Sequence, residues 1–221
     1  METTTNKQNS WLDTPKAIVL AGLVIGIGLA IGLGLGLSGD GSVAPQAPSQ
    51  PKAVELSVSI DADEHIKGNA DAEIILIEYS DYDCPFCTRV HPTLESVVAE
   101  SNGEVAWAYR HFPLERIHPE AKGKAIIGEC LALEGGSELF WEYTDGLFNG
   151  NPIDTSIAAE CIENPSKKAV AAVDADIKTA IENGVSGTPF VIVWNTTTEE
   201  GIALSGAQPQ AAFEQAINAV K

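Results

Sequence analysis

The stretch SDYDCPFCTRVHP, residues 80–92, places two of the four cysteines, Cys84 and Cys87, three positions apart with Pro85 and Phe86 between them. Such a pair suits half of a zinc site, an inert structural disulfide, or a dithiol that exchanges electrons. A structural zinc site commonly draws four ligands from two closely spaced pairs, and the sequence has no second C-x-x-C and no H-x(3–5)-H. An inert bridge across so small a loop gains little closure entropy. The pattern therefore favours a redox-active dithiol.

The flanking residues indicate how such a dithiol is activated. IILIEY, residues 74–79, is a short apolar run typical of a buried central strand, and residues 84–102 can form a helix. Cys84 then lies at a helix N-terminus, where free N–H groups and the helix dipole stabilise a thiolate. Pro85 suits the first turn, where its missing N–H costs nothing. We expect Cys84 to be the exposed attacking thiol and Cys87 the more buried resolving thiol.

The order of the other elements predicts an α/β fold. Leu56, Val58 and Ile60 alternate with polar residues, as in a half-buried strand, and a strand–helix–strand unit requires two parallel strands. Helices, a hairpin and a last helix follow, which gives β-α-β, a helical insert and then β-β-α, with helices on both faces of one sheet. The later strands are expected at 105–110, 190–195 and 202–205, and the later helices at 121–133, 138–148, 153–162, 167–183 and 210–220.

An apolar segment precedes this domain. AIVLAGLVIGIGLAIGLGLGL, residues 17–37, has no charged or polar side chain. As a helix it would be about 31 Å long, which is about one hydrocarbon core. Lys7 and Lys16 lie before it and favour a cytoplasmic N-terminus. A cleaved signal peptide is the alternative, since residues 42–44 (Ser-Val-Ala) suit a signal peptidase, but the apolar part of a signal peptide is usually only about 7–15 residues.

The expected organisation therefore has four segments. A short cytoplasmic N-terminus, residues 1–16, is followed by a transmembrane anchor, residues 17–37, and by a flexible linker rich in Gly, Pro, Ser and Gln, residues 38–55. The folded domain is residues 56–221, with the helical insert at about residues 115–183. The net charge of -18, with only 13 Lys and Arg, argues against nucleic-acid binding and suits a soluble extracytoplasmic domain.

Two motifs together resemble the thioredoxin superfamily. C-P-x-C follows a central strand, with Pro92 eight residues after Cys84, and residues 186–189 (SGTP), just before FVIVWN, resemble the cis-proline loop of that superfamily. The segments GNADAEIILIEYSDYDCPFC, YRHFPL and FWEYTDGLF, with the helical insert, resemble the DsbA-like disulfide oxidoreductases. The resemblance runs from about Leu56 to the C-terminus and implies a thioredoxin fold with a central mixed sheet and a helical insertion.

The resemblance implies roles for the matching positions. Cys84 would be the nucleophile and Cys87 its partner. Pro189 would be cis, so that the backbone of Thr188 is offered to an extended substrate strand beside the dithiol. An ordinary trans turn is the alternative for Pro189. Glu78, six residues before Cys84, would be the acid beneath the active site that assists proton transfer. An ordinary strand-end carboxylate is the alternative for Glu78.

One position departs from the strongest oxidants of the family. They carry His where this chain has Phe86, and Phe cannot hold a thiolate by positive charge. Asp81 and Asp83 add negative charge nearby, which disfavours a second anion. We therefore expect the pKa of Cys84 to lie below the value of about 8.5 of a free thiol but above the value of about 3.5 in DsbA.

The other two cysteines, Cys130 and Cys161, each fall in a predicted helix. Because unpaired thiols are a hazard in an oxidising compartment and the count is even, we expect a structural Cys130–Cys161 disulfide. Two buried free cysteines are the alternative. The four histidines have no metal-ligand spacing, and His91 is interpreted as an exposed helical residue. We expect neither a metal nor a cofactor.

These observations predict a protein disulfide oxidoreductase in the cytoplasmic membrane, single-pass, with its catalytic domain in the periplasm or cell exterior. Its partners would be extended cysteine-containing polypeptides, oxidised through a mixed disulfide, and by resemblance a membrane redox protein that reoxidises the dithiol. A reductase or isomerase, running the same chemistry in reverse, is an alternative. A chaperone-like peptide-binding module is another, although binding alone needs no dithiol.

Overall fold

The structure is a computed structural model that describes residues 56–61, 64–151 and 155–221. The expected cytoplasmic N-terminus, membrane anchor and linker, residues 1–55, lie outside these ranges. None of the helices in the described ranges is long and apolar enough to cross a membrane.

A five-stranded mixed sheet forms the centre of the domain. Its strands are β1 His65–Gly68, β2 Ile74–Ser80, β3 Val105–His111, β4 Phe190–Asn195 and β5 Glu200–Ser205. Their order in the sheet is β1-β3-β2-β4-β5. β2 runs parallel to β3, and the other neighbouring strands are antiparallel. Every residue of β2 and β3 is buried, as expected for strands covered on both faces.

Five helices accompany the sheet. They are α1 Pro85–Glu100, α2 Ala121–Phe148, α3 Thr155–Glu163, α4 Lys167–Glu182 and α5 Gln210–Val220.

Apolar side chains form one cluster on each face of the sheet. Side chains alternate between the two faces along a strand, so Ile74 and Leu76 of β2 pack with α1, α2 and α5, whereas Ile75 and Ile77 pack with α4. The predicted mixed α/β fold with helices on both faces is confirmed.

The predicted first strand is wrong. Residues 56–60 form no strand, and the backbone of Ser57 bonds to a side chain instead: its N–H donates to Asn183 Oδ1 (2.8 Å), and Asn183 Nδ2 donates to its carbonyl (3.0 Å). Leu56, Val58 and Ile60 are half-buried against the cluster beneath α4. Their alternation therefore reflects contact with the core. The edge strand is β1, which is too short, at four residues, for its periodicity to predict it.

The helical insert contains three helices within its described residues, where the sequence predicts four. The two predicted helices 121–133 and 138–148 are the halves of α2, which is interrupted at Gly136 (φ 71°, ψ -167°). Glycine adopts this conformation without the strain that a side chain would cause. The predicted Cys130–Cys161 disulfide is present and joins α2 to α3.

Candidate active site

The dithiol lies where the central strand meets the first helix. β2 ends at Ser80, the N–H of Cys84 bonds to the carbonyl of Asp81 (3.0 Å), and Cys84 is the N-cap of α1 with Pro85 in the first turn. Cys84 and Cys87 are both free thiols in this structure. The N-terminal N–H groups of α1 have no partners within the helix, so they are available to the sulfur of Cys84.

The pKa values of the two thiols are shifted in opposite directions. The pKa of Cys84 is lowered to about 5, and the hydrogen bond from Cys87 is the largest influence. The Thr188 side chain and the N–H groups of Cys87 and Phe86 also lower this pKa, whereas burial raises it. Burial is the largest influence that raises the pKa of Cys87, followed by its bond to Cys84 and the charge of Glu78. Cys84 is thus suited to be the nucleophile and Cys87 the protonated partner.

Cys84 is not exposed as predicted. Only 3% of its surface is accessible, although this exceeds the 0% of Cys87. Its Sγ lies 3.5 Å from the carbonyl oxygen of Thr188, so the loop before β4 is in contact with it. Phe86 instead is half exposed, with the guanidinium of Arg89 over its ring at 5.1 Å. An apolar ring and a cation therefore lie on the surface next to a largely covered sulfur.

The loop that carries Thr188 has the conformation that the resemblance implies. The Thr188–Pro189 peptide bond is cis, and the carbonyl of Pro189 accepts a hydrogen bond from the N–H of Gly206 (2.8 Å). The hydroxyl of Thr188 is buried and has no hydrogen-bond partner. It is therefore available to donate to a Cys84 thiolate, which agrees with its lowering of the pKa of Cys84.

Glu78 is a fully buried carboxyl group beneath the dithiol. Neither of its oxygens has a hydrogen-bond partner, and the nearby Ser80 hydroxyl and Trp107 indole nitrogen are also unpartnered. Burial raises the pKa of Glu78 to about 8; the polar groups of Ser80 and Trp107 oppose this, and the charge of Cys84 adds to it. A carboxyl group with this pKa holds a proton near neutral pH and can transfer it.

The two aspartates before Cys84 have cationic partners. Asp81 accepts two backbone hydrogen bonds and a third from Nδ1 of His118 (2.9 Å), and Asp83 is paired with Lys124. The hydrogen bond to Asp81 raises the pKa of His118, and the charges of Asp81 and Cys84 add to this. The sequence analysis missed His118 because nothing in its spacing connects it with the dithiol. A histidine with a raised pKa therefore lies near Cys84, although none lies between the cysteines.

The interpretation of His91 as an exposed residue is wrong. It is fully buried, and its Nε2 lies 2.9 Å from the carboxylate of Asp145, which also binds Lys67 (2.6 Å). Its ring packs edge-on against Trp107 (4.8 Å). His91 points towards the sheet because it lies between Cys87 and Leu94 on the buried face of α1. Through Asp145 and Lys67 it connects α1 with α2 and β1.

Comparison with known proteins identifies the family. A protein-family model described as thioredoxin matches residues 61–219. The chain belongs to the thioredoxin family. Its structure is similar to DsbA2 of Pseudomonas aeruginosa, with a TM-score of 0.65 and 25% identity over 74% of this chain and 97% of that one. It is similar in fold to the catalytic domain of Proteus mirabilis ScsC, with a TM-score of 0.58 and 18% identity over 72% of this chain and 89% of that one.

This thioredoxin-family chain also has curated relatives with a different name. The Na(+)/H(+) antiporter NhaA 1 of Mycolicibacterium gilvum is 32% identical over 163 residues, which are 66% of this chain and 26% of that protein. NhaA 1 of Mycolicibacterium vanbaalenii is 38% identical over 104 residues, or 47% of this chain and 16% of that protein. The chain thus spans about a quarter, or less, of the length of these relatives.

The thiol acidities of this thioredoxin-family protein predict a pH profile. In the reduced protein, alkylation of Cys84 should rise with a midpoint near pH 5, because the thiolate is the reactive form. Since this pKa is lower than that of an unfolded thiol, the thiolate stabilises the folded reduced protein above about pH 8.5, and this contribution is lost as the pH falls to about 5. Mass spectrometry of the alkylated peptide would measure the midpoint. A midpoint above pH 8 would contradict the arrangement described.

Proposed function

We propose that this protein is a thiol–disulfide oxidoreductase that oxidises the thiols of substrate polypeptides through Cys84 and Cys87. The thioredoxin fold and the likeness to DsbA2 support a thiol–disulfide oxidoreductase. The observation that carries the oxidising direction is the contrast between Cys84, whose pKa is lowered to about 5, and Cys87, whose pKa is raised. A stabilised thiolate favours the reduced dithiol, and this makes the disulfide a better oxidant.

The reaction begins with the Cys84–Cys87 disulfide. A substrate thiolate attacks the sulfur of Cys84, the bond to Cys87 breaks, and Cys87 leaves as a thiolate that takes up a proton. Glu78 would supply that proton, because it is near enough to influence the pKa of Cys87 and its own pKa of about 8 keeps it protonated near neutral pH. A second substrate thiolate then attacks the substrate sulfur of the mixed disulfide and releases Cys84. The substrate loses two electrons and the dithiol gains them.

The substrate contacts follow from the surface around Cys84. The loop at Thr188 and Pro189 would hold an extended strand beside the sulfur, and the half-exposed ring of Phe86 offers an apolar contact. Since Cys84 is largely covered, the incoming thiol has to reach the sulfur past this loop. Extended, cysteine-containing polypeptides fit such a surface better than compact folded proteins do.

We also propose that the domain works outside the cytoplasmic membrane, tethered by residues 17–37, and that a membrane redox partner reoxidises the dithiol. The apolar segment in the sequence supports the tether. The Cys130–Cys161 disulfide supports an oxidising compartment, since structural disulfides persist there. The antiporter activity named for the NhaA relatives is excluded from this proposal, because the matched region is about a quarter or less of those proteins.

Measuring the reduction potential would test the direction. The full chain is equilibrated with glutathione buffers, and the Cys84–Cys87 pair is read by alkylation. The pKa of Cys84 lies between those of DsbA and thioredoxin, so we expect a potential of about -180 mV, between their values of about -120 and -270 mV. A potential at or below about -250 mV would reject net oxidation and support the reductase.

A further inference from the structure

Four side chains that the dithiol chemistry does not use converge at the β1 edge of the sheet. Nε2 of His65 lies 3.0 Å from Oε1 of Glu129, and Nε2 of His111 lies 3.1 Å from the same oxygen. A carboxylate oxygen of Asp176 lies within 4.8 Å of the ligand atoms of His111 and Glu129. Donor atoms of His111, Glu129 and Asp176 thus lie within 4.8 Å of one another, and the imidazole of His65 adjoins this group at Glu129.

The fold brings these residues together from four different elements. His65 of β1 is paired with Tyr109 of β3, and His111 lies two residues beyond Tyr109, so both imidazoles are on the same face of the sheet. Glu129 reaches that face from α2. Asp176 comes from α4 and accepts a hydrogen bond from the N–H of His111 (2.8 Å). This origin explains why the sequence contains no ligand spacing that predicts the cluster.

One of the groups has no hydrogen-bond partner without a cation. Nε2 of His111 is buried, in a side chain that is 1% exposed, and its contact with Glu129 does not have hydrogen-bond geometry. This nitrogen lies 3.1 Å from Oε1 of Glu129, and an oxygen of Asp176 lies within 4.8 Å of the ligand atoms of both residues. A cation bound between them would bond to the unpaired nitrogen and balance the charge of the two carboxylates.

Two of the separations between donor atoms have the length found between ligands of one metal ion. Zinc binds imidazole nitrogen and carboxylate oxygen at about 2.0–2.2 Å, so two ligands on one ion lie about 3 Å apart. The contacts of Glu129 with His65 and His111 have this length. Two nitrogen and two oxygen donors suit zinc better than calcium or magnesium, which prefer oxygen alone.

The other two clusters of this kind in the described residues do not qualify. In the first, Cys130 and Cys161 are joined in a disulfide beside Glu134, so neither sulfur is a thiolate. In the second, His91, Glu95 and Asp145 already surround the ammonium group of Lys67, which lies 2.6 Å from Asp145 and 3.2 Å from Glu95.

We propose that His65, His111, Glu129 and Asp176 bind one zinc ion, which fastens the helical insert to the edge of the thioredoxin sheet. Four protein ligands leave no position for substrate, so the ion is structural. It links β1 and β3 to α2 and α4, next to the Cys130 end of the disulfide. An aromatic contact also connects the proposed zinc site to the active-site turn, since the ring of His111 packs edge-on against the ring of Tyr82 (5.6 Å), two residues before Cys84.

The test measures zinc on the full chain with the Cys84–Cys87 pair oxidised, so that these thiols cannot bind the metal. After chelation and dialysis, titration with zinc alone should show one ion per chain, and zinc should raise the melting temperature. Glu129→Gln keeps the size of the side chain and removes its charge, and should weaken zinc affinity by at least about 100-fold, more than the loss of an outer-shell partner. Glu142→Gln, an exposed change on the same helix, should bind like the parent.

His65→Asn provides a second variant, because His65 is less buried than His111 and its replacement disturbs the core less. Circular dichroism would establish that each variant is folded. Cobalt in place of zinc should give visible bands without the charge-transfer absorption of thiolate ligands. The proposal is overturned if Glu129→Gln and His65→Asn bind zinc as tightly as the parent, if cobalt reports thiolate ligands, or if calcium binds more tightly than zinc.

Discussion

Replacing Cys84 with serine is expected to reduce disulfide transfer to the rate of the uncatalysed reaction. The bond that a substrate thiol attacks is the Cys84–Cys87 disulfide, and a hydroxyl cannot form it. Neither Cys130 nor Cys161 can substitute, because they are bonded to each other and buried. Reactivation of a reduced, unfolded substrate enzyme, followed over time, would measure the transfer.

Cys87→Ser is the matched control, since it leaves the attacking thiol in place. It should stop turnover as well. Given a disulfide-bonded substrate, its Cys84 thiolate should attack that disulfide, release one substrate thiol and accumulate a mixed disulfide that non-reducing electrophoresis detects, whereas Cys84→Ser should not. The pKa of Cys84 should rise above about 5 in this variant, because the Cys87 thiol is the largest influence that lowers it. Substantial transfer by Cys84→Ser would contradict the proposed mechanism, whereas absence of transfer by the parent protein would favour the peptide-binding alternative.

Removing the Cys130–Cys161 disulfide is expected to lower the free energy of unfolding by about 3–4 kcal/mol. The cysteines are 31 residues apart, and the chain-entropy relation gives a stabilisation of about 3–4 kcal/mol for a closed loop of this length. Both residues are buried, so alanine replaces them with less disturbance than a polar side chain would. Urea unfolding of Cys130→Ala/Cys161→Ala, with the Cys84–Cys87 pair oxidised in both proteins, measures the difference.

A reductant would not serve for this measurement, because it would open the active-site disulfide as well. Cys84→Ala/Cys87→Ala is the matched control: it removes a bridge that closes a much smaller loop, so its entropic effect should be smaller. A loss below about 1 kcal/mol in Cys130→Ala/Cys161→Ala would mean that other contacts hold the insert together. The proposed zinc site is one such contact, and repeating the measurement with and without zinc would separate the two contributions.

The sequence was sufficient to predict the strands and helices whose own residues show the hydrophobic pattern or the end signals of that element. β4 and α5 have the predicted bounds, and Cys84 caps α1 as the strand–helix order predicts. The break in α2 follows from adjacent glycines, one of which has a positive φ. The dithiol was predictable from its own short motif, whereas the loop at Pro189 was expected from the resemblance of residues 186–189 to the cis-proline loop of the thioredoxin superfamily.

Features that depend on distant partners were not predictable from the sequence. Residues 56–60 alternate like a strand, but their backbone bonds to Asn183, which is 126 positions away from Ser57. His118 approaches the active site through Asp81, and His91 is buried through Asp145. In each case the burial or the charge of a residue is decided by a contact that only the folded chain creates.

The entry of the chain into the domain has a mechanical consequence. Any pulling force on the chain before Leu56 acts first on the hydrogen bonds between Ser57 and Asn183, and then on the bond from Arg110 to the carbonyl of Ser59. These hydrogen bonds can break in succession, and the segment can peel away, while all five strands stay paired, because the segment contributes no strand. Peeling lengthens the chain before the force reaches β1, so a short extension of the chain leaves β2, α1 and the spacing between Cys84 and Cys87 unchanged.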